Sequence, residues 1–179
     1  YANPRYMRPY MRGVALTLYL WPQHQDIKRF FQEHFPGRTG GTYLEIGPGP
    51  GMFFLHALRR NAFDRHVGVD ISPTSIAATR SLIGSSTSGA TAVYDLIHAD
   101  FLSYTPDEPI KACVAGEVLE HVEHPELFLR KIGRCVAPNA FIFVSTCLNA
   151  PVLDHIYNFE SVEKLESMLG AADLVVRER

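Results

Sequence analysis

The sequence has little net charge: 17 Lys and Arg against 19 Asp and Glu leave −2 over 179 residues. No global field therefore draws the chain onto nucleic acid or anionic lipid. It also lacks any apolar run approaching the roughly 20 residues that span a bilayer. The greasiest stretch near its start, Val14 to Trp21, has neither the length nor the small-residue cleavage site of a signal peptide. Cysteine is scarce. Cys113, Cys135 and Cys147 stand apart among apolar neighbours, and their number is odd. No disulfide framework and no zinc site are expected, and a reduced, cytoplasmic setting is. There is no internal repeat and no low-complexity tract. What is present is ordinary for one globular domain with a real core: 46% hydrophobic and 20% charged residues.

The chain alternates strand-like and helix-like segments. Gln23 to His34 has helical spacing, with Ile27, Phe30 and Phe31 on one side and Pro36-Gly37 to end it. Thr42 to Ile46 reads as a strand running into glycine, Met52 to Arg60 as an apolar helix, and His66 to Asp70 as a second strand. Ser72 and Pro73 open a helix as N-cap and first-turn proline, running to about Ile83 before a Ser/Gly/Thr loop over Gly84 to Gly89. Strands follow at Ala92–Ile97, Ile110–Ala115 and Ala140–Ser145. Helices fall at Glu126–Val136, with Leu127, Ile132 and Val136 facing inward, and at Ser161–Leu169. A last strand is expected from Leu174 onward. Buried-type strands alternating with helices predict an α/β fold, a doubly wound and mostly parallel sheet covered on both faces. In such sheets ligands sit beyond the carboxyl ends of the strands.

The residues after the strands carry the chemistry. Glu45-Ile46-Gly47-Pro48-Gly49-Pro50-Gly51 joins the first strand to a helix, and glycine at every second place lets backbone approach a ligand closely. A dinucleotide fingerprint needs glycine at the sixth place of G-x-G-x-x-G, where this chain has Met52. Asp70 closes the second strand 19 residues after Gly51. A carboxylate there can accept from both hydroxyls of a ribose, or cap the following helix, for which Ser72 is better placed. His98-Ala99-Asp100-Phe101 follows the third strand, with Asp100 also readable as a strand-end cap. Cys113 to His121 includes Glu117, Glu120 and His121 and follows the fourth.

The pattern E-x-G-x-G-x-G with these companions resembles class I S-adenosylmethionine-dependent methyltransferases over roughly residues 40–179, and Glu117-Val118-Leu119-Glu120-His121 resembles the ubiquinone/menaquinone type. The resemblance implies a Rossmann-like domain over 39–179 behind an N-terminal lid or helical segment over 1–38. It implies S-adenosylmethionine as cofactor, with Glu45, Gly47, Gly49 and Gly51 around its amino-acid half. Asp70 would lie on the ribose, Ile71 against the adenine, and Asp100 and Phe101 at the adenine edge. Glu117 would stand near the reacting methyl group. Methyl transfer is an in-line displacement that needs positioning, plus a base if the acceptor must lose a proton. His121 is the first candidate base and His155 the second, although a histidine at a helix start is often scaffolding. Glu117 or Glu120 could hold the imidazole in one tautomer. Glu117, Glu120, His121 and His124 could instead bind a metal, but Pro125 shortens any helix carrying all four, and none is expected.

The expected partner is a small-molecule acceptor in a biosynthetic reaction, its reacting atom open between oxygen, nitrogen and carbon. Arg5, Arg8 and Arg12 among Tyr1, Tyr6 and Tyr10 could form a nucleic-acid stripe or a lid, and the balanced charge favours the lid. An RNA or protein methyltransferase is the first alternative. A nucleotide-binding oxidoreductase or non-catalytic module is the second. The start at Tyr1 and the stop within Val175–Arg179 suggest a piece of a longer chain. The C-terminal strand pair of the resembled fold would be incomplete here, leaving an edge open to pairing by further chain or another subunit.

Overall fold

The computed structural model describes residues 3–86 and 92–179. Its sheet has five strands: β1 (Thr42–Ile46), β2 (Arg65–Asp70), β3 (Val93–His98), β4 (Ile110–Gly116) and β5 (Val136–Ser145). They lie in the order β3-β2-β1-β4-β5, and every neighbouring pair is parallel. From β1 the chain winds first to one side, through β2 and β3, and then to the other, through β4 and β5. The winding reverses between β1 and β4, which is where such sheets leave a crevice.

Alternation along the strands builds two cores. Leu44 and Ile46 of β1 point with Val67, Val69, Cys113 and Ala115 toward α5 (Pro125–Cys135), meeting Phe128, Leu129 and Ile132. Tyr43, Ala112 and Val114 point the other way. They meet Phe54, Ala57 and Leu58 of α3 (Met52–Arg60) and Phe31 of α2 (Pro22–His34). Every residue of β1 is buried, as a central parallel strand demands. Edge strand β3 is half exposed, and Arg65 of β2 pairs across it with Asp95 at 2.8 Å and with Asp107 at 3.2 Å.

Ser72 caps α4 (Pro73–Ser86), accepting from the Ser75 amide at 3.4 Å with Pro73 in the first turn. That helix reaches three residues past Ile83, so the expected Gly84–Gly89 loop begins late, and its positions 87–89 lie outside the described residues. Ser161 caps α6 (Val162–Gly170) through the Lys164 amide at 3.2 Å. Residues 4–20 form α1 (Pro4–Leu20), capped by Asn3, whose side chain accepts from the Arg5 amide at 3.0 Å. Met7, Met11 and Leu18 are its buried stripe. No helix among the described residues is long and apolar enough to cross a membrane.

Three expectations need correction. The inward face of α5 is Pro125, Phe128, Leu129 and Ile132, spaced i, i+3, i+4 and i+7, and Leu127 is 42% exposed. Strand β5 starts at Val136, not Ala140; its register against β4 slips between Ile110↔Val136 and Ala112↔Phe141, with Asn139 at φ 60° inside the bulge. Residues 174–179 form no strand. Among the described residues no strand lies outside β5 to pair with them, and the tail instead folds back through Arg179 to Glu166 of α6 at 2.8 Å.

Phe31 joins the N-terminal helices to the sheet. It is fully buried, with ring centroids 4.6 Å from Phe53 and 5.0 Å from Phe143. Phe31→Ala is expected to cost about 3–5 kcal/mol through the cavity it leaves. Urea unfolding should show a lower midpoint at unchanged slope.

Candidate active site

The carboxyl ends of β1, β2 and β4 open into a cavity of about 1040 Å³, roofed by α1. Its volume stands at the top of the usual range for a small-molecule site, about 300–1,000 Å³. Its two ends differ in chemistry.

The first end is built on the glycine loop. Gly47, Gly49 and Gly51 have φ of 64°, 54° and 86°, the left-handed region in which a side chain is strained. A Cβ on Gly47 would meet Val118 Cγ2 at 2.8 Å, and one on Gly51 would meet Thr79 Cγ2 at 2.9 Å. Gly49 meets nothing nearer than the Gly47 carbonyl at 3.9 Å. Gly47 and Gly49 line the cavity, whereas Gly51 packs behind it on α4 and is the left-handed cap of α3.

Glu45 lies under this loop, 2% exposed. Its carboxyl accepts from the Tyr43 hydroxyl and the Phe54 amide, but burial outweighs both and pushes its pKa up to about 8. Asp70 is 8% exposed, and burial raises its pKa as well. One of its oxygens accepts from the Ser72 amide at 2.7 Å and the other from the Gly49 amide at 3.4 Å. It therefore ties the glycine loop to the β2–α4 turn while standing on the cavity wall. Ile71 is 58% exposed on that wall. Asp100 accepts from the Leu102 amide at 2.9 Å, the local cap also foreseen for it, and still lines the cavity. Phe101 lines it from within the core, its ring 5.4 Å from that of Phe128.

The second end follows β4 and β5. Glu117 has φ of 52°, and its Oε1 is buried without a hydrogen-bond partner. Burial and the neighbouring Glu120 raise its pKa to about 7. Glu120 is 1% exposed and raised by burial; it accepts from the Thr146 hydroxyl at 2.9 Å. His121 ends a 3₁₀ turn (Leu119–His121) and donates from Nδ1 to the Asp154 carbonyl at 2.9 Å. That backbone carbonyl fixes Nδ1 as a donor. His155 stands edge-on to His121 with centroids 5.1 Å apart and donates from Nδ1 to the Ala150 carbonyl at 2.7 Å.

The four-residue metal set read from the sequence does not converge. His124 turns away to Glu126 at 3.3 Å. Among the described residues the only group of three or more ligand atoms within 4.8 Å is Glu120, Cys147 and His155. Cys147 is thus not in apolar surroundings. Its thiol lies 3.9 Å from Glu120 Oε1, and burial and the two acids push its pKa to about 11.

Several wall residues were not foreseen. Tyr10 of α1 donates to Asp154 Oδ2 at 2.8 Å, and Met7, Met11, Val14 and Leu18 give the roof an apolar face. Their i, i+4, i+7, i+11 spacing was the available signal. His24 also lines the cavity, donating from Nδ1 to the Thr17 hydroxyl at 2.7 Å. Cys147 meets His155 because the segment after β5 loops back, closed by a bridge between Leu148 and Phe159, and no periodicity announces that.

A parallel doubly wound sheet with a glycine loop after its central strand and an acid after the next defines a cofactor-binding α/β class. A family model described as a methyltransferase domain matches residues 19–178. The chain belongs to that family, within the class I S-adenosylmethionine-dependent methyltransferases. It is 30% identical over 131 residues to a ubiquinone biosynthesis O-methyltransferase of Paraburkholderia xenovorans, a match covering 73% of this chain and 54% of that protein. The chain spans about half the length of the curated relatives it matches. Among solved structures it resembles the DhpI–SAM–HEP complex (TM-score 0.70, 19% identity, 94% of this chain and 86% of that one). It also resembles the [4+2]-cyclase SpnF (TM-score 0.68, 21% identity, 85% and 57%). These two likenesses are of fold.

The raised acids give the site a pH signature. Glu45 has a folded pKa of about 8 against 4.5 for the free side chain, so the folded state holds more protons between these values. Its contribution to stability is fully present below about pH 4.5 and is lost as pH rises through 8. Urea titrations of the ligand-free protein should show Glu45→Gln losing less stability than the parent across that window.

Proposed function

We propose that this protein transfers a methyl group from S-adenosylmethionine to the hydroxyl oxygen of a small apolar acceptor. The observation that carries this reading is a single cavity with two chemically distinct ends, the glycine loop with Asp70 at one and the Glu117–His121 turn at the other. The curated relatives named as O-methyltransferases favour oxygen over nitrogen or carbon. The apolar roof of α1 favours a small-molecule acceptor over RNA or protein. A cytoplasmic, biosynthetic role goes with such an acceptor. SpnF is named a cyclase, so fold likeness alone does not decide the reaction.

The residues suit the cofactor. Gly49 leaves open the space a side chain would fill. Glu45 places a carboxyl under the loop for an ammonium, Asp70 one for ribose hydroxyls, and Ile71 and Phe101 apolar surface for adenine, with Asp100 beside them. When bound, the cofactor supplies an electrophilic methyl on a sulfonium. The chain orients the acceptor and excludes water beneath α1. His121 takes the acceptor proton. With Nδ1–H given to the Asp154 carbonyl, Nε2 is the basic nitrogen of the neutral ring. Glu117 lies near the reacting centre, and His155 supports the wall beside His121. Residues 1–38 act as the lid of a domain over 39–179.

Calorimetry should show S-adenosylhomocysteine binding and NAD binding weakly or not at all. Tighter binding of NAD would refute the proposal. Asp70→Ala should weaken S-adenosylhomocysteine by about 2–4 kcal/mol, since ribose hydroxyls and the Gly49 amide lose a charged acceptor. An unchanged dissociation constant would exclude the ribose role. With a phenolic acceptor, His121→Ala should lower kcat about 10²–10⁴-fold at constant cofactor affinity. That deficit should shrink as pH rises and the acceptor ionises unaided. A loss independent of pH, accompanied by lower stability, would make His121 scaffolding.

A further inference from the structure

We propose that Glu120, Cys147 and His155 form a binding site for a divalent transition-metal ion of the zinc type, with its open coordination position toward the acceptor end of the cavity. The three ligand atoms lie within 4.8 Å of one another, and all three residues line the cavity. They come from separate places: the turn after β4, the residue two past β5, and the loop that returns to Phe159.

The spacing fits a tetrahedral ion. Zinc–sulfur and zinc–nitrogen bonds of about 2.3 and 2.0–2.1 Å put neighbouring ligand atoms about 3.4–3.6 Å apart. Cys147 Sγ lies 3.9 Å from Glu120 Oε1, 3.9 Å from His155 Nε2 and 3.4 Å from His155 Nδ1. A closure of a few tenths of an ångström, with a turn of the imidazole that swings Nε2 toward the sulfur, brings both into range. The ligands are also oriented from behind. His155 donates Nδ1–H to the Ala150 carbonyl at 2.7 Å, which leaves Nε2 as the coordinating nitrogen. Glu120 accepts from the Thr146 hydroxyl through its other oxygen, at 2.9 Å. A carboxyl that is 1% exposed, beside a thiol and an imidazole with no fixed cation among them, costs free energy that a bound ion repays.

Thiolate, imidazole and one carboxylate select zinc or cobalt over magnesium or calcium, which prefer all-oxygen shells. Three protein ligands with one position open is the arrangement of catalytic rather than structural zinc. Binding the ion displaces the Cys147 thiol proton, and any proton on Glu120, to solvent. No bond to carbon changes and nothing is oxidised. An acceptor hydroxyl in the open position would be oriented beside His121 and made more acidic. That last role rests on the methyl-transfer reading; the ion site does not.

The test is a Co²⁺ titration of chelator-treated protein under reducing conditions. We expect one saturable ion per chain, a near-ultraviolet thiolate-to-cobalt charge-transfer band, and displacement by Zn²⁺. Cys147→Ser should abolish the band, His155→Ala should weaken Co²⁺ about tenfold or more, and His121→Ala should keep both band and affinity. Calorimetry with S-adenosylhomocysteine on each variant reports whether the fold and the cofactor end survive. If Cys147→Ser does not fold, the band in the parent protein and the His155→Ala affinity decide. No saturable binding, binding without a charge-transfer band, or a band that survives Cys147→Ser would overturn the assignment. So would loss of the ion in His121→Ala with retention in Cys147→Ser. Failure to bind S-adenosylhomocysteine in the parent would sink the methyl-transfer reading and leave the ion site standing.

Discussion

The chain must leave the fully buried strand β1 and enter α3 within five residues, and three left-handed glycines make that possible. They answer different demands. Gly47 is pressed against Val118 and Gly51 against Thr79, so their missing side chains serve the packing of the protein. Gly49 faces open space, and its missing side chain serves whatever fills the cavity. Asp70 and Glu45 hold this loop from two sides, through the Gly49 amide and the Phe54 amide.

Four carboxyls, three buried and that of Glu117 half-buried, divide the cavity electrostatically. Glu45 and Asp70 stand at the glycine loop, Glu117 and Glu120 at the far end, and burial raises all four. Among the described residues that line the cavity there is no Lys or Arg. Burying so many acids without a fixed cation is costly, and the cost falls when they protonate or when a cation enters. A site of this sign favours a positively charged ligand at each end. A sulfonium cofactor with a free ammonium answers one end, and a metal ion or a protonated histidine answers the other. Such ligands would stabilise the fold by linkage.

How much of this was legible depended on whether the controlling interaction was local. Strand β1, helix α3 and the Ser72-Pro73 start of α4 are written in short-range pattern and capping chemistry, and they fell where read. Strand β5 was read four residues short because Pro138 and Asn139 look like a turn, whereas tertiary pairing with β4 carries them as a bulge. The reading of 174–179 as a strand failed for the opposite reason. Its apolar residues have the propensity, but a strand exists only where a neighbour supplies the other half of the ladder. Gly47, Gly49 and Asp70 follow the strand ends in chain order, so their place on the cavity wall was readable, whereas Gly51 packs behind it. Cys147, Asp154 and His24 were not readable, because they reach the cavity from distant segments through contacts that leave no spacing in the sequence.

Asp154 shows what that blindness conceals. Its carboxylate accepts from Tyr10 of the roof helix, and its carbonyl accepts from the His121 imidazole. The same short segment returns two amides, those of Ile156 and Tyr157, to the Glu120 carbonyl at 2.8 and 3.0 Å. The position of α1, the tautomer of His121 and the placement of Glu120 therefore share one loop. Tyr10 makes this connection from a helix face whose other lining residues are Met7, Met11, Gly13, Val14, Thr17 and Leu18, mostly apolar side chains that bind without direction. A directional bond from a largely apolar helix face helps set where the helix sits, while the apolar contacts set only that it stays packed. In a reaction governed by alignment, the first of these matters more: an ångström of error at the roof becomes misalignment at the acceptor. The polar contact between α1 and the loop thus ties the opening segment to the His121 end of the cavity.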